Sequence, residues 1–124
     1  MTKFHWHKNS TILKSTVSAA KGFISAVRNE KKIRQVVIAM SAVTAFCVVA
    51  DVGYFQILMI IFSWVVALIC EMFNTALEKA LDFASGKEYH PLIRDGKDYA
   101  SACTFIALVF AGSLTLFVLF SRLF

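Results

Sequence analysis

"YFQILMIIFSWVVALICEMFNTALEKALD", residues 54–82, joins two chemistries in one uninterrupted stretch. Residues 54–70 carry no charge and are almost wholly apolar, whereas Glu71, Asn74, Thr75, Glu78, Lys79 and Asp82 follow at once. A spanning helix needs about 20 apolar residues, with a range of about 17–25, so the first part reaches the short end of that range. Carboxylates are costly in hydrocarbon and are rarely placed there without a partner or a task. A helix rising about 1.5 Å per residue advances about 26 Å between Tyr54 and Glu71, in a layer about 30 Å thick. Glu71 is therefore expected at the edge of the hydrocarbon. Glu78, about 10 Å further on, falls at head-group depth or beyond.

The rest of the chain supports a membrane reading. Of 124 residues, 58% are hydrophobic and 17% charged, against an average apolar content of about 45–50% in soluble domains. Two more apolar runs occur, "IRQVVIAMSAVTAFCVVA" (33–50) and "YASACTFIALVFAGSLTLFVLF" (99–120). Three buried soluble helices would leave so short a chain too little polar surface. The expected fold is therefore an all-α membrane protein, one domain over residues 1–124, with membrane helices over 33–50, 54–82 and 99–120. Residues 10–29 are amphipathic: Lys14, Ser18, Lys21, Ser25, Arg28 and Asn29 gather on one side, and Ile12, Leu13, Phe23, Ile24 and Val27 on the other. Such a helix lies on a membrane surface. The second connection, "ASGKEYHPLIRDGKD" (84–98), reads as an ordered turn, with Gly86 or Pro91 stopping regular structure.

Charge placement gives an orientation. Lys3, Lys8, Lys14, Lys21, Arg28, Lys31, Lys32 and Arg34 precede the first span, and Lys79, Lys87, Arg94 and Lys97 lie between the second and third. The connection "DVG" has none, and only Arg122 follows the third span. The positive-inside rule puts the N-terminus and the second connection in the cytoplasm and the C-terminus outside. A bacterial inner, cytoplasmic membrane is expected. The net charge of +5 is assigned to anionic lipid head groups, and no nucleic-acid partner is expected. Cys47, Cys70 and Cys103 form no CxxC or Cys/His metal spacing, and His5, Trp6 and His7 read as a terminal patch. The first 30 residues hold no apolar segment followed by a small-residue cleavage site, so no secretory signal is expected.

On a helix, Asn74, Thr75, Glu78 and Asp82 all fall within about 60° of Glu71, and Lys79 stands on the flank of that stripe. Glu30, just before the first span, and Lys97 and Asp98, just before the third, reach the same interface. Carboxylates that suit Mg²⁺ and a lysine that suits phosphate fit phosphoryl transfer, which is mostly positioning and charge neutralisation. No GxxxxGK[ST] loop and no kinase Gly-rich loop is present. The spacing equally admits a polar seam between helices or a proton or cation pathway.

"EMFNTALEKALD" (71–82) resembles the signature of the prokaryotic diacylglycerol kinase family, E-x-aliphatic-N-[ST]-[AS]-aliphatic-E-x-x-aliphatic-D. "NEKKIRQ" (29–35), "EYHPLIRDGKDYASA" (88–102) and "KG" (21–22) resemble further stretches of that family, in order and register. Phe73 stands at an aliphatic position, Thr11 and Ser18 where some members carry Arg and Tyr, and Val36 where some carry Glu. The resemblance implies a homotrimer with three membrane helices and a surface helix per subunit. Its active sites would be shared between subunits, and it would transfer the γ-phosphate of MgATP to the primary hydroxyl of a membrane lipid. It implies Glu71 as general base on the lipid hydroxyl. Glu30 and Glu78 would be Mg²⁺ ligands, with Asn74 assisting. ATP would meet Glu30, Glu78, Glu88, Tyr89, His90, Lys97 and Asp98. The lipid pocket would hold Glu71, Arg34 and Ser101.

Plainer roles stand beside these. Tyr89 suits an interfacial anchor, His90 before Pro91 a turn, Asp82 a helix end and Trp64 packing. Diacylglycerol, giving phosphatidic acid, is the leading substrate. "EYHP" looks like the branch using undecaprenol, giving undecaprenyl phosphate, and "NEKKIRQ" like the diacylglycerol branch. A small proton-coupled transporter using Glu71 and a non-catalytic scaffold are the alternatives of other classes.

Overall fold

The computed structural model describes residues 11–124, as α1 (Ile12–Asn29), α2 (Lys31–Val49), α3 (Tyr54–Ser85) and α4 (Pro91–Leu123), with no strand among them. Lys3, His5, Trp6, His7, Lys8 and Ser10 lie outside the described residues. α2, α3 and α4 are each long and apolar enough to cross a membrane, so the protein is an all-α integral membrane protein.

Thr11 starts α1 by accepting a hydrogen bond from the Lys14 backbone N–H at 3.2 Å, which satisfies one of the orphan donors of the first turn. Ile12, Leu13 and Ile24 stay exposed and no α1 residue is fully buried. A single extended residue, Glu30, separates α1 from α2. Arg34 fixes that corner: its Nη1 donates to the carbonyls of Val27 and Arg28 at 3.1 and 3.0 Å, occupying acceptors left open at the α1 C-terminus. At the other end of α2, Asp51 turns the chain at φ 59° and Val52 N–H returns to the Cys47 carbonyl at 3.0 Å.

α3 and α4 are 32 and 33 residues long, or about 48–50 Å at about 1.5 Å per residue. Both are longer than the hydrocarbon layer of about 30 Å, and the polar end of α3 lies beside α1. α4 starts at Pro91 rather than near the Tyr99 expected from its apolar run. The reason is local. Proline at the first helical position gives up no hydrogen bond, and His90 caps the turn, Nδ1 accepting from Leu92 N–H at 3.1 Å. Pro91 thus begins a helix instead of stopping one, while Gly86, at φ 63°, ends α3 in the left-handed conformation that glycine adopts without strain. The polar tract 91–98 stays helical because it packs on the α3 extension. A Cβ at Gly96 would stand only 3.3 Å from Leu81 Cδ1, so glycine permits that approach.

α3 is the hub, packed on α2 and α4, while α1 packs on α2. Cys47, Val52, Ile60 and Val118 form one core on the Asp51 side, and Ile33, Val36 and Leu68 form another on the α1 side. Trp64 packs against both. Its Nε1 donates to Thr115 Oγ1 at 2.9 Å, and Thr115 donates in turn to the Ala111 carbonyl at 2.8 Å. Both polar groups are thereby satisfied where no water can serve them.

Candidate active site

Glu71 lies on the face of α3 that looks between α2 and α4. It is 4% exposed, and Thr75 Oγ1 donates to its Oε2 at 3.3 Å. Asn74, one turn nearer the α1 side, is also 4% exposed, and its Oδ1 is buried without a hydrogen-bond partner. Both line a cleft of about 410 Å³. Its α2 wall is Lys32, Gln35, Val36 and Ala39, and its α4 wall is Ser101, Thr104, Phe105 and Leu108. Each wall repeats the i, i+3, i+4, i+7 spacing of one helical face. Each also runs from polar at the α1 side (Lys32, Gln35; Ser101, Thr104) to apolar at depth (Ala39; Phe105, Leu108). The slot is polar at its mouth and greasy below, with a carboxylate at the change. It suits a molecule with a hydroxyl head and hydrocarbon chains.

The other expected residues gather in two further places. Glu30 lines a separate cleft with Thr75 and Lys79, and its Oε2 pairs with Lys79 Nζ at 3.0 Å. Glu78 is half-buried one turn below Asp82. At the polar ends of α3 and α4, Asp82, Ser85, Lys87, Glu88, Tyr89, His90 and Lys97 help to line a basin of about 540 Å³, where Lys97 is ion-paired with Asp82. His90 uses Nδ1 as a helix cap, so its turn role and a place in the basin coexist. Asp98 is exposed. Arg34 does not line the Glu71 cleft; its guanidinium is committed to α1 carbonyls.

Among the described residues, no group of three or more His, Cys, Asp or Glu side chains could hold a metal alone. Mg²⁺ that travels with phosphates needs only one or two carboxylates, with phosphate oxygens and water completing the shell. Glu30 and Glu78 each carry a carboxylate of that hard-oxygen chemistry, Glu30 being paired with Lys79. Asn74 opens on the Glu71 side of α3, whereas Glu30 lines the cleft on the other.

Lys32, Gln35 and Thr104 carried no assignment in the sequence reading. The signal that finds them is the matched spacing of residues 32, 35, 36, 39 and 101, 104, 105, 108, which shows only once α2 and α4 are known to flank α3. Thr104 also donates to the Cys70 and Ala100 carbonyls at 3.3 Å, joining α4 to α3 one residue from Glu71.

The family model described as prokaryotic diacylglycerol kinase matches residues 17–119, which include α2, α3 and nearly all of α4. The chain belongs to the prokaryotic diacylglycerol kinase family. It is a lipid kinase, a membrane-bound phosphotransferase. It is similar to the diacylglycerol kinase of Pseudomonas aeruginosa, at 35% identity over 97 residues, 78% of each chain. The diacylglycerol kinase of Escherichia coli K12 is 32% identical over 100 residues, 81% of each. That of Helicobacter pylori strain 26695 is 31% identical over 103 residues, 80% of this chain and 77% of its own. As a kinase of this family it implies ATP and a lipid acceptor.

Proposed function

We propose that this kinase transfers the γ-phosphate of MgATP to the primary hydroxyl of diacylglycerol, giving phosphatidic acid. The observation that carries the reading is the buried carboxylate of Glu71 at the polar-to-apolar change of an amphipathic slot; the names of the relatives support the choice of lipid. The lipid hydroxyl gives its proton to Glu71 while its oxygen attacks the γ-phosphorus. The bond from that phosphorus to the β-phosphate oxygen breaks, and ADP leaves with the electron pair. Ser101 and Asn74 orient the lipid head. Arg34 acts on the lipid only through the corner that it fixes. Lys97 leaves Asp82 for phosphate, and Glu88, Tyr89, His90 and Asp98 receive the rest of the nucleotide. Glu30 and Glu78 would hold Mg²⁺, which supplies charge neutralisation when bound.

Burial within one chain covers no more than 28% of the most apolar stretch of any membrane helix, and Phe62, Phe73, Phe105 and Phe117 are open. A homotrimer with shared sites would cover part of this surface, lipid the remainder. Helical spans support a bacterial inner membrane, and the positive-inside rule supports an orientation with the N-terminus and the α3–α4 connection cytoplasmic and the C-terminus outside.

The test is Mg-dependent phosphorylation in mixed micelles presented separately with diacylglycerol and undecaprenol. Diacylglycerol is expected to be the better acceptor. Preference for undecaprenol would reassign the substrate, and phosphorylation of neither would sink the proposal.

A further inference from the structure

The Glu71 cleft holds a charge that a neutral alcohol does not need. Lys32 is the one cation among its lining residues. Among the described residues it makes no ion pair. Of the lysines nearer the expected nucleotide residues, Lys79 is held by Glu30 and Lys97 by Asp82, while Lys87 lines the outer basin and, like Lys32, makes no ion pair among the described residues. Inside the cleft stand the Glu71 carboxylate and the unpartnered Asn74 Oδ1, and Lys32 lines the same cleft from α2. A diacylglycerol-like alcohol enters this place neutral. It leaves carrying a phosphate monoester of about −1.5 to −2 charge at neutral pH. The neutral donors of the cleft, on Gln35, Asn74 and Ser101, carry no charge to balance that phosphate.

We infer that Lys32 binds the phosphate monoester formed in the cleft, at the end of the transfer and in the product complex. The inference rests on the kinase reading and assigns to Lys32 a part separate from the nucleotide residues. Lys32 gives the new phosphate the one cationic donor among the cleft's lining residues, while Glu71 holds the proton taken from the hydroxyl. The ligand class is a lipid phosphate monoester. Because the ammonium takes no part in holding the neutral alcohol, its loss separates product from substrate.

The experiment measures equilibrium binding of radiolabelled phosphatidic acid and, in parallel, of diacylglycerol to the full-length protein in neutral detergent micelles. Lys32→Gln is expected to weaken phosphatidic acid binding about tenfold, the scale of one charge-assisted hydrogen bond at an open cleft mouth. Lys32→Arg should stay within about threefold of the parent, since charge and donors are kept. Diacylglycerol affinity should be the same in all three, and the KM for MgATP should not move. Unchanged phosphatidic acid binding in Lys32→Gln overturns the inference. So does an equal loss for diacylglycerol, which would make Lys32 structural. An equal loss for phosphatidylserine also overturns it, assigning the residue to bulk anionic head groups, and so does a loss confined to MgATP. Phosphorylation by the unmodified protein is scored separately. Its absence sinks the kinase reading, while the binding data still decide Lys32.

Discussion

The same three membrane helices build two unlike halves. On the Asp51 side, Cys47, Val52, Ile60 and Val118 close an apolar core, Trp64 donates to Thr115, and Arg122 meets Asp51. On the α1 side, Glu71 is buried with only a hydroxyl for company, Asn74 Oδ1 has no partner, and clefts open between the helices. Polar groups in the first half are satisfied and hold helices together. In the second, the buried Asn74 Oδ1 is left without a partner, and an unsatisfied buried acceptor costs about 1–3 kcal/mol. Each end has an apolar core, but the α1 side also opens into clefts beside buried polar groups. The proposed phosphoryl transfer lies on that side, at the polar-to-apolar change of the Glu71 cleft.

The comparison breaks first at Glu71. Glu71→Gln keeps an oxygen for the Thr75 hydroxyl, so the fold is expected to hold. Removing a general base is expected to lower kcat by about 10²–10⁴. Thermal unfolding, turnover and MgATP binding measured on one preparation check this; full activity would end the role of Glu71 as base. Glu78→Gln comes next. It should weaken Mg-dependent nucleotide binding about tenfold, the order of one lost charge-assisted contact, and leave diacylglycerol binding alone. An unchanged nucleotide affinity would count against a metal role.

Both halves were unequally legible in the sequence. The three spans could be seen because apolar runs of spanning length leave a backbone with no water few choices but helix. The stripe of Glu71, Asn74, Glu78 and Asp82 followed from helical spacing alone. What spacing could not show was how neighbours use the polar residues. The polar tract 91–98 looks like a turn until it is seen packing on an α3 that outruns the membrane. Arg34 looks like a lipid contact until its guanidinium is found on the carbonyls of Val27 and Arg28. Glu30 and Asn74 share an interface by depth but open on different sides of α3, a distinction that depends on where α2 and α4 sit. Lys32 was silent for the same reason: its meaning lies in the cleft and not in its neighbours along the chain.

The Asp51-side half makes the reverse prediction, of stability without turnover. Trp64→Phe and Thr115→Val each remove one partner of the 2.9 Å bond. Pairs of this kind inside membranes couple by about 0.6 kcal/mol on average and up to about 1.7. A double-mutant cycle of unfolding in micelles should return a value in that range, while kcat stays within about twofold. A large fall in turnover would mean that the two halves are not separable.

The smallest effect is expected at the outermost contact, and its two parts can be told apart. Arg122 Nη2 lies 3.6 Å from an Asp51 carboxylate that is 94% exposed, and such pairs contribute about 0–1 kcal/mol and fade with salt. Arg122 Nε also donates to the Asp51 backbone carbonyl at 3.0 Å, which no side-chain change removes. Asp51 itself sits at φ 59°, where glycine is at ease and aspartate is merely tolerated. Asp51→Gly therefore removes the weak ion pair, keeps the carbonyl acceptor and relieves the backbone, so its melting temperature should stay close to the parent's. Arg122→Leu removes both contacts and should cost about 0.5–1 kcal/mol. If the clasp were mainly an ion pair, the two variants would be equally destabilised and high salt would erase the difference from the parent. If it is mainly a strap on the backbone carbonyl, only the arginine variant melts earlier, in low salt and high alike.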